Sequence, residues 1–239
     1  MPARPTRRAN AGLDTSAGPA AFSPDTFRFL KALDFHQDRA WFQANREMYE
    51  RSVRSPMVAT VEALAAEMRR RKLPFTGDPR TAILRIHRDV RFTKDKKPFN
   101  AHTAMMLTRT GRRDELGKFY LHVDATGSFV AAGFYRPEPG DLLKLRRAIV
   151  ARPAQFLAMQ AALRRGGLAL DPEDQLTRRP SGFAEVDARI EAAVRLKSFF
   201  VQRDLAATDV VDHATLTKAA IRFAVASMPL MRFGWDVLG

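Results

Sequence analysis

KFYLHVDATGSFVAAGFYR, residues 118–136, decides the architecture. Phe119, Leu121 and Val123 alternate with Tyr120, His122 and Asp124. That period of two makes a β-strand with one buried and one more polar face. Ala-Thr-Gly at 125–127 is a short connection with Gly127 available for positive φ, so the two apolar runs predict an antiparallel hairpin.

Working outward, TAILRIH (81–87) and AHTAMMLTR (101–109) also read as strands, after a turn at LPFTGDP (73–79). KSFFVQRDL (197–205) adds a late strand. Helical periodicity fills the rest. Ser23 is an N-cap followed by Pro24 and Asp25, with Phe27, Leu30, Leu33 and Phe22 as the apolar side. Asp38 caps a second helix that places Trp41, Asn45 and Tyr49 on one stripe. Asn45 is a candidate ligand contact, or a side chain bonded to nearby backbone. A third helix follows Ser55-Pro56 and ends in the cations of RRRK (69–72). Residues 139–165 are helical with an interruption near Pro153, 185–196 form a short helix, and 213–238 a closing helix broken at Pro229. Helices, then strands, then helices with a late strand give an α+β fold with a mainly antiparallel sheet flanked by N-terminal and C-terminal helices. Residues 1–22 read as a disordered basic tail, and 23–239 as a single domain.

Composition narrows the functional classes. The net charge of +14 favours polyanions or anionic ligands. The chain has no cysteine, which excludes disulfides, thiolate catalysis and cysteine-ligated metals and fits a reducing cytoplasm. No apolar run approaches a membrane span, and the N-terminus lacks a secretory h-region, so no membrane partner is expected. No nucleotide-binding glycine pattern, paired glutamates or Ser-His-Asp order is present, and no cofactor is expected.

Function concentrates in RIHRDVRFTKDKKPFNAH (85–102), which holds six cations and two acids. Read as a strand, its start places Leu84, Ile86 and Arg88 on one face, so the Arg88 guanidinium heads inward and needs a partner such as Asp89 or Asp95. Two readings stay open: an arginine–aspartate network pinning the loop, or an arginine fork for phosphate or carboxylate. The second gives a pocket for a small anion built from Arg85, Arg88, Asp89, Arg91, Asp95 and Lys96, joined by Arg136, Lys197 and Asn45. Arginine neighbours should lower the Asp89 pKa and weaken it as a general base. The alternative is a nucleic-acid face, with Phe92, Phe99 and Tyr135 stacking on bases. His87, His102 and His122 fall on three predicted strands, with Asp124 two residues past His122. Unrelated spacings and dense arginine argue against an ion there, and no metal is assigned. The sequence carries no signature that decides catalysis or oligomeric state.

RIHRDVRFTKDKKPFNAH, together with FLKALDFHQDRAWFQANREMYE (29–50), the hairpin to Pro139, RRPSGF (178–183) and RLKSFFV (195–201), resembles a bacterial family known as domain of unknown function 2461. The resemblance spans roughly 22–235. It implies one domain and brings no activity with it. AAGFY stands where it implies a more glycine-rich strand, and no role passes to Asp187.

Overall fold

The computed structural model describes residues 20–91 and 94–239; the tail assigned to 1–22 therefore lies outside the described residues except for its last three, and Phe92 lies outside them too. The fold is α+β. The sheet has order β1-β2-β3-β4, built from His102–Leu107, Lys118–Asp124, Ser128–Phe134 and Phe199–Leu205, every neighbour antiparallel. The hairpin pairs Phe119 with Ala132 and His122 with Phe129. Its turn closes through a side chain rather than a left-handed glycine. Asp124 Oδ1 accepts from the Thr126 N–H at 2.6 Å and its hydroxyl at 2.7 Å. Gly127 is not among the positive-φ residues, because an Asx-type turn needs none at that position.

Period-two alternation puts Phe119, Leu121, Val123, Val130 and Ala132 on the inner face. The short helix α9 (Ala207–Val211) leads into α10 (His213–Leu238), which packs on β3 and β4, while α4 (Ser55–Arg70) packs on β1. Helices α6 (Pro139–Ala151) and α7 (Pro153–Arg165) complete that layer against α10. Among the described residues no helix is long and apolar enough to cross a membrane.

A second, smaller core sits beside the first. Phe29, Leu30 and Leu33 from α1 (Pro24–His36) meet Phe42 from α2 (Arg39–Ala44), Val53, Ile86 and Phe99. Phe22, inside the stretch read as tail, is 2% exposed and belongs to the main core. It precedes the Ser23 cap, where an apolar residue staples the helix entry. The second predicted helix is three pieces: α2, α3 (Arg46–Tyr49) and a π-helix (Glu50–Arg54) that runs into α4 without a loop.

Three expectations are corrected. Residues 81–87 are not a sheet strand. Asp78 accepts from Arg80 N–H at 2.8 Å and Pro79 opens a helical turn, α5 (Pro79–Ala82). The chain then runs extended beside β1, with Leu84 N donating to Ala104 O at 2.8 Å. It leaves the sheet to pair with itself, Arg88 N to Pro98 O at 2.8 Å and Asn100 N to Ile86 O at 2.7 Å. The alternation survives, with Ile86 buried between exposed Arg85 and His87. Pro229 does not break α10, which continues to Leu238. Proline removes one donor, to the carbonyl of Val225, and Val225 is 49% exposed, so water can replace it. Helix propensity over 185–196 yields only α8 (Glu191–Arg195), because Asp187 and Arg189 bond each other ahead of it.

Candidate functional site

In the 85–97 segment local pairing absorbs most of the charge. Arg88 Nη1 meets Asp95 Oδ2 at 2.6 Å. Arg91 lies against Asp89 at 2.7 Å, and Lys97 against Asp34 at 3.0 Å. Lys96 Nζ donates to Val90 O at 2.9 Å. Hydrogen bonding by Arg91 holds the Asp89 carboxyl below its ordinary range, and Arg88 does the same for Asp95. Both carboxylates therefore stay ionised at neutral pH, which suits anchoring rather than proton transfer.

Arg85 and Arg88 also line a cleft of about 650 Å³, and four arginines that sequence reading had passed over stand with them: Arg39, Arg46, Arg54 and Arg80. Among the described residues, Glu50 is the sole acidic residue on the cleft wall. It faces Arg54 at 3.5 Å. For Arg39, Arg46, Arg80 and Arg85 no carboxylate lies within ion-pair distance among the described residues. The floor is apolar, formed by Phe42, Ile86 and Phe99. Phe42 and Phe99 stack at 4.6 Å. Tyr49 lines the wall with its pKa raised, chiefly by burial and further by Glu50, so its hydroxyl stays a donor. The π-helix carries Glu50 and Arg54 into this wall. Such wide turns recur at functional sites. One signal for the missed residues was available: Arg39 and Arg46 are seven apart, two helical turns on one face.

Other predicted contributors sit elsewhere. Asn45 donates from Nδ2 to Trp41 O at 2.9 Å and is not on the cleft wall. Arg136 and Lys197 converge on Asp174, at 3.7 and 2.9 Å. They follow β3 and precede β4, at the end of the sheet opposite to where residues 85–101 enter β1. Asp89, Arg91, Asp95 and Lys96 form the loop network outside the cleft wall. Phe99 is 2% exposed, so it cannot stack on a base, whereas Tyr135 is 62% exposed.

A second constellation lies on the outer face of the sheet. His102 is paired with Asp124, and Ala104 with His122. The two imidazole centroids are 4.4 Å apart. Tyr120 Oη is 3.1 Å from His122 Nδ1. Phe129 stacks on His122 at 4.7 Å. His87 is not there; it packs against Phe42 and Phe99. Burial, and then the nearby His102, push the His122 pKa down to about 4 from 6.5, against the pull of Asp124. Burial likewise lifts Tyr120 to about 12. Between those two histidine values the unfolded chain binds more protons than the folded one, so acid weakens the fold. Lowering pH from about 7 to about 5 should cost roughly 1–3 kcal/mol through this group. Urea midpoints of the wild type and His122→Gln across that range check it: the variant should show the flatter profile, and parallel profiles would refute the assignment.

The sequence profile of the family described as conserved hypothetical protein (DUF2461) matches residues 25–233. The chain belongs to this family. The matched span covers the sheet, both constellations, the whole second core and most of the main core, and it assigns no activity to either constellation. No curated protein and no solved structure matches closely enough to add to that assignment.

Proposed function

We propose that the protein binds a small anion, a phosphate or carboxylate attached to an apolar or planar body, in the arginine cleft. The observation that supports this is that six arginines line one cleft and, among the described residues, a single carboxylate, Glu50, lines it with them. Among the described residues, Arg39, Arg46, Arg80 and Arg85 have no carboxylate at ion-pair distance; gathering such like charges is unfavourable, and an entering anion relieves that repulsion. Each charge-assisted hydrogen bond contributes about 1.5–3 kcal/mol, and guanidinium forks match phosphate and carboxylate oxygens two at a time. The apolar floor favours a ligand with more than a bare anionic head. The Arg88–Asp95 pair anchors the cleft edge, so the structural and ligand-binding readings of this segment are complementary.

Thermal shift with inorganic phosphate, phosphorylated metabolites, dicarboxylates and short oligonucleotides, at two salt concentrations, tests the reading. A ligand at about 100 times its Kd adds roughly 2.7 kcal/mol and should raise Tm by several degrees. Arg46→Glu and Arg85→Glu should each abolish the shift while leaving the unliganded Tm nearly unchanged, since both side chains are exposed. A small-anion shift that persists in both variants would rule out the cleft. A shift from oligonucleotides alone, fading with salt, would replace the proposal with nucleic-acid binding along the basic surface.

A further inference from the structure

We propose that His102, His122 and Asp124 form a binding site for one divalent transition-metal ion of the zinc type. None of the three lines the arginine cleft, and the inference does not rest on the anion reading.

The argument begins with strand register. Pairing of β1 with β2 sets His102 opposite Asp124, and the two-residue repeat of β2 sets His122 on the same face. One ligand atom from each of the three lies within 4.8 Å of the others. His122 Nε2 and Asp124 Oδ2 are already 3.7 Å apart. Ligand atoms bonded to zinc at about 2.0–2.2 Å sit roughly 3–3.5 Å from one another in a tetrahedral site. Closing the remaining gap needs about an ångström of side-chain adjustment, with the backbone held by the ladder.

Two of the three ligands are also held in orientation. Asp124 Oδ1 is held by Thr126, through its N–H and its hydroxyl, which leaves Oδ2 toward His122. Tyr120 Oη contacts His122 Nδ1 at 3.1 Å. With Nε2 on a metal, Nδ1 carries the proton and donates to that phenol oxygen, the outer hydrogen bond that metal-bound imidazoles characteristically make. Phe129, stacked on His122 with an interplanar angle of 13°, holds the ring plane. Side-chain exposure of 14% for His122 and 21% for Asp124 limits competition from water. Two imidazoles and one carboxylate suit Zn²⁺, Co²⁺ or Fe²⁺ over Mg²⁺ or Ca²⁺, which prefer all-oxygen shells. Three protein ligands leave a position for water or a substrate atom, the pattern of a working rather than a purely structural site.

The test uses the untagged full chain, stripped with chelator, desalted, and titrated with Zn²⁺ in a phosphate-free buffer. About one equivalent should bind. His102→Gln and His122→Gln should each weaken binding about a hundredfold or more, and Tyr120→Phe about tenfold. His36→Gln should leave it unchanged. Imidazole ¹H–¹⁵N correlations of the wild-type chain give a readout independent of whether a variant folds: Zn²⁺ should shift the rings of His102 and His122 and spare His36. Binding below about one-tenth equivalent, shifts confined to other histidines, or undiminished affinity in both folded histidine variants would overturn the site. Because no anionic ligand enters the titration, its failure leaves the cleft untouched.

Discussion

Gly133→Ala is expected to cost roughly 2–6 kcal/mol, from the sum of a strained backbone and an unavoidable overlap. Gly133 has φ +146, a conformation that L side chains rarely adopt. An added Cβ would lie 2.3 Å from the Phe199 carbonyl oxygen and 2.5 Å from Phe200 Cα. Those are backbone atoms of β4 and cannot rotate aside. The strand pair joins the hairpin to the only late strand in the described sheet, so the loss reaches the whole inner face. Equilibrium urea unfolding measures it, with Gly127→Ala as the control: a Cβ there meets nothing within 4 Å. A Gly133→Ala midpoint equal to that of the wild type would mean that β3 and β4 do not approach as closely as described.

Phe42→Ala should cost about 3–5 kcal/mol, the usual range for emptying a phenylalanine site. Phe42 is 7% exposed, stacks on Phe99 and meets Phe29 edge-on at 6.4 Å. It therefore ties α1 and α2 to the 86–99 segment. It is also the cleft floor, so the anion-induced rise in Tm should disappear with it. Because this cluster is separate from the main core, hydrogen exchange should show α1 and the π-helix losing protection while β2 and β3 keep theirs. Uniform loss across the sheet would show instead that the two cores unfold as one unit.

Much of the fold was legible because its signals are local. Alternation in 118–136 specifies strand, face and hairpin without reference to anything distant. Asp38 was recognisable as a cap from its type and position, and its side chain does accept from Trp41 N–H at 2.7 Å. TAILRIH failed for a complementary reason. Its apolar alternation is real, but a strand needs a partner along its length, and after Leu84 its partner is its own continuation, residues 98–100. Pro229 was misread because proline counts against a helix only when nothing else holds it, and α10 is pressed between the sheet and four other helices.

The candidate sites divide along the same line. The basic motif, its acids and its aromatic neighbours are sequence facts, and the need of Arg88 for a partner follows from the cost of an unpaired guanidinium, while the structure selects Asp95 over Asp89. Which cations share a cleft is not a sequence fact. Arg39, Arg46 and Arg54 come from the N-terminal helices, and Arg80 and Arg85 from the segment beside β1; Phe42 packing on Phe99 brings the two together. The same holds for the histidines, three of which looked equivalent by pattern. Register with β2 selects His102 and His122, and aromatic packing removes His87. By itself, then, the sequence determined the α+β class, the hairpin, the capped starts of α1 and α2 and the family, because period, caps and turns act over a few residues. Tertiary structure decided which charges and imidazoles become neighbours, because those contacts join segments tens of residues apart, and only packing and strand register can bring such segments together.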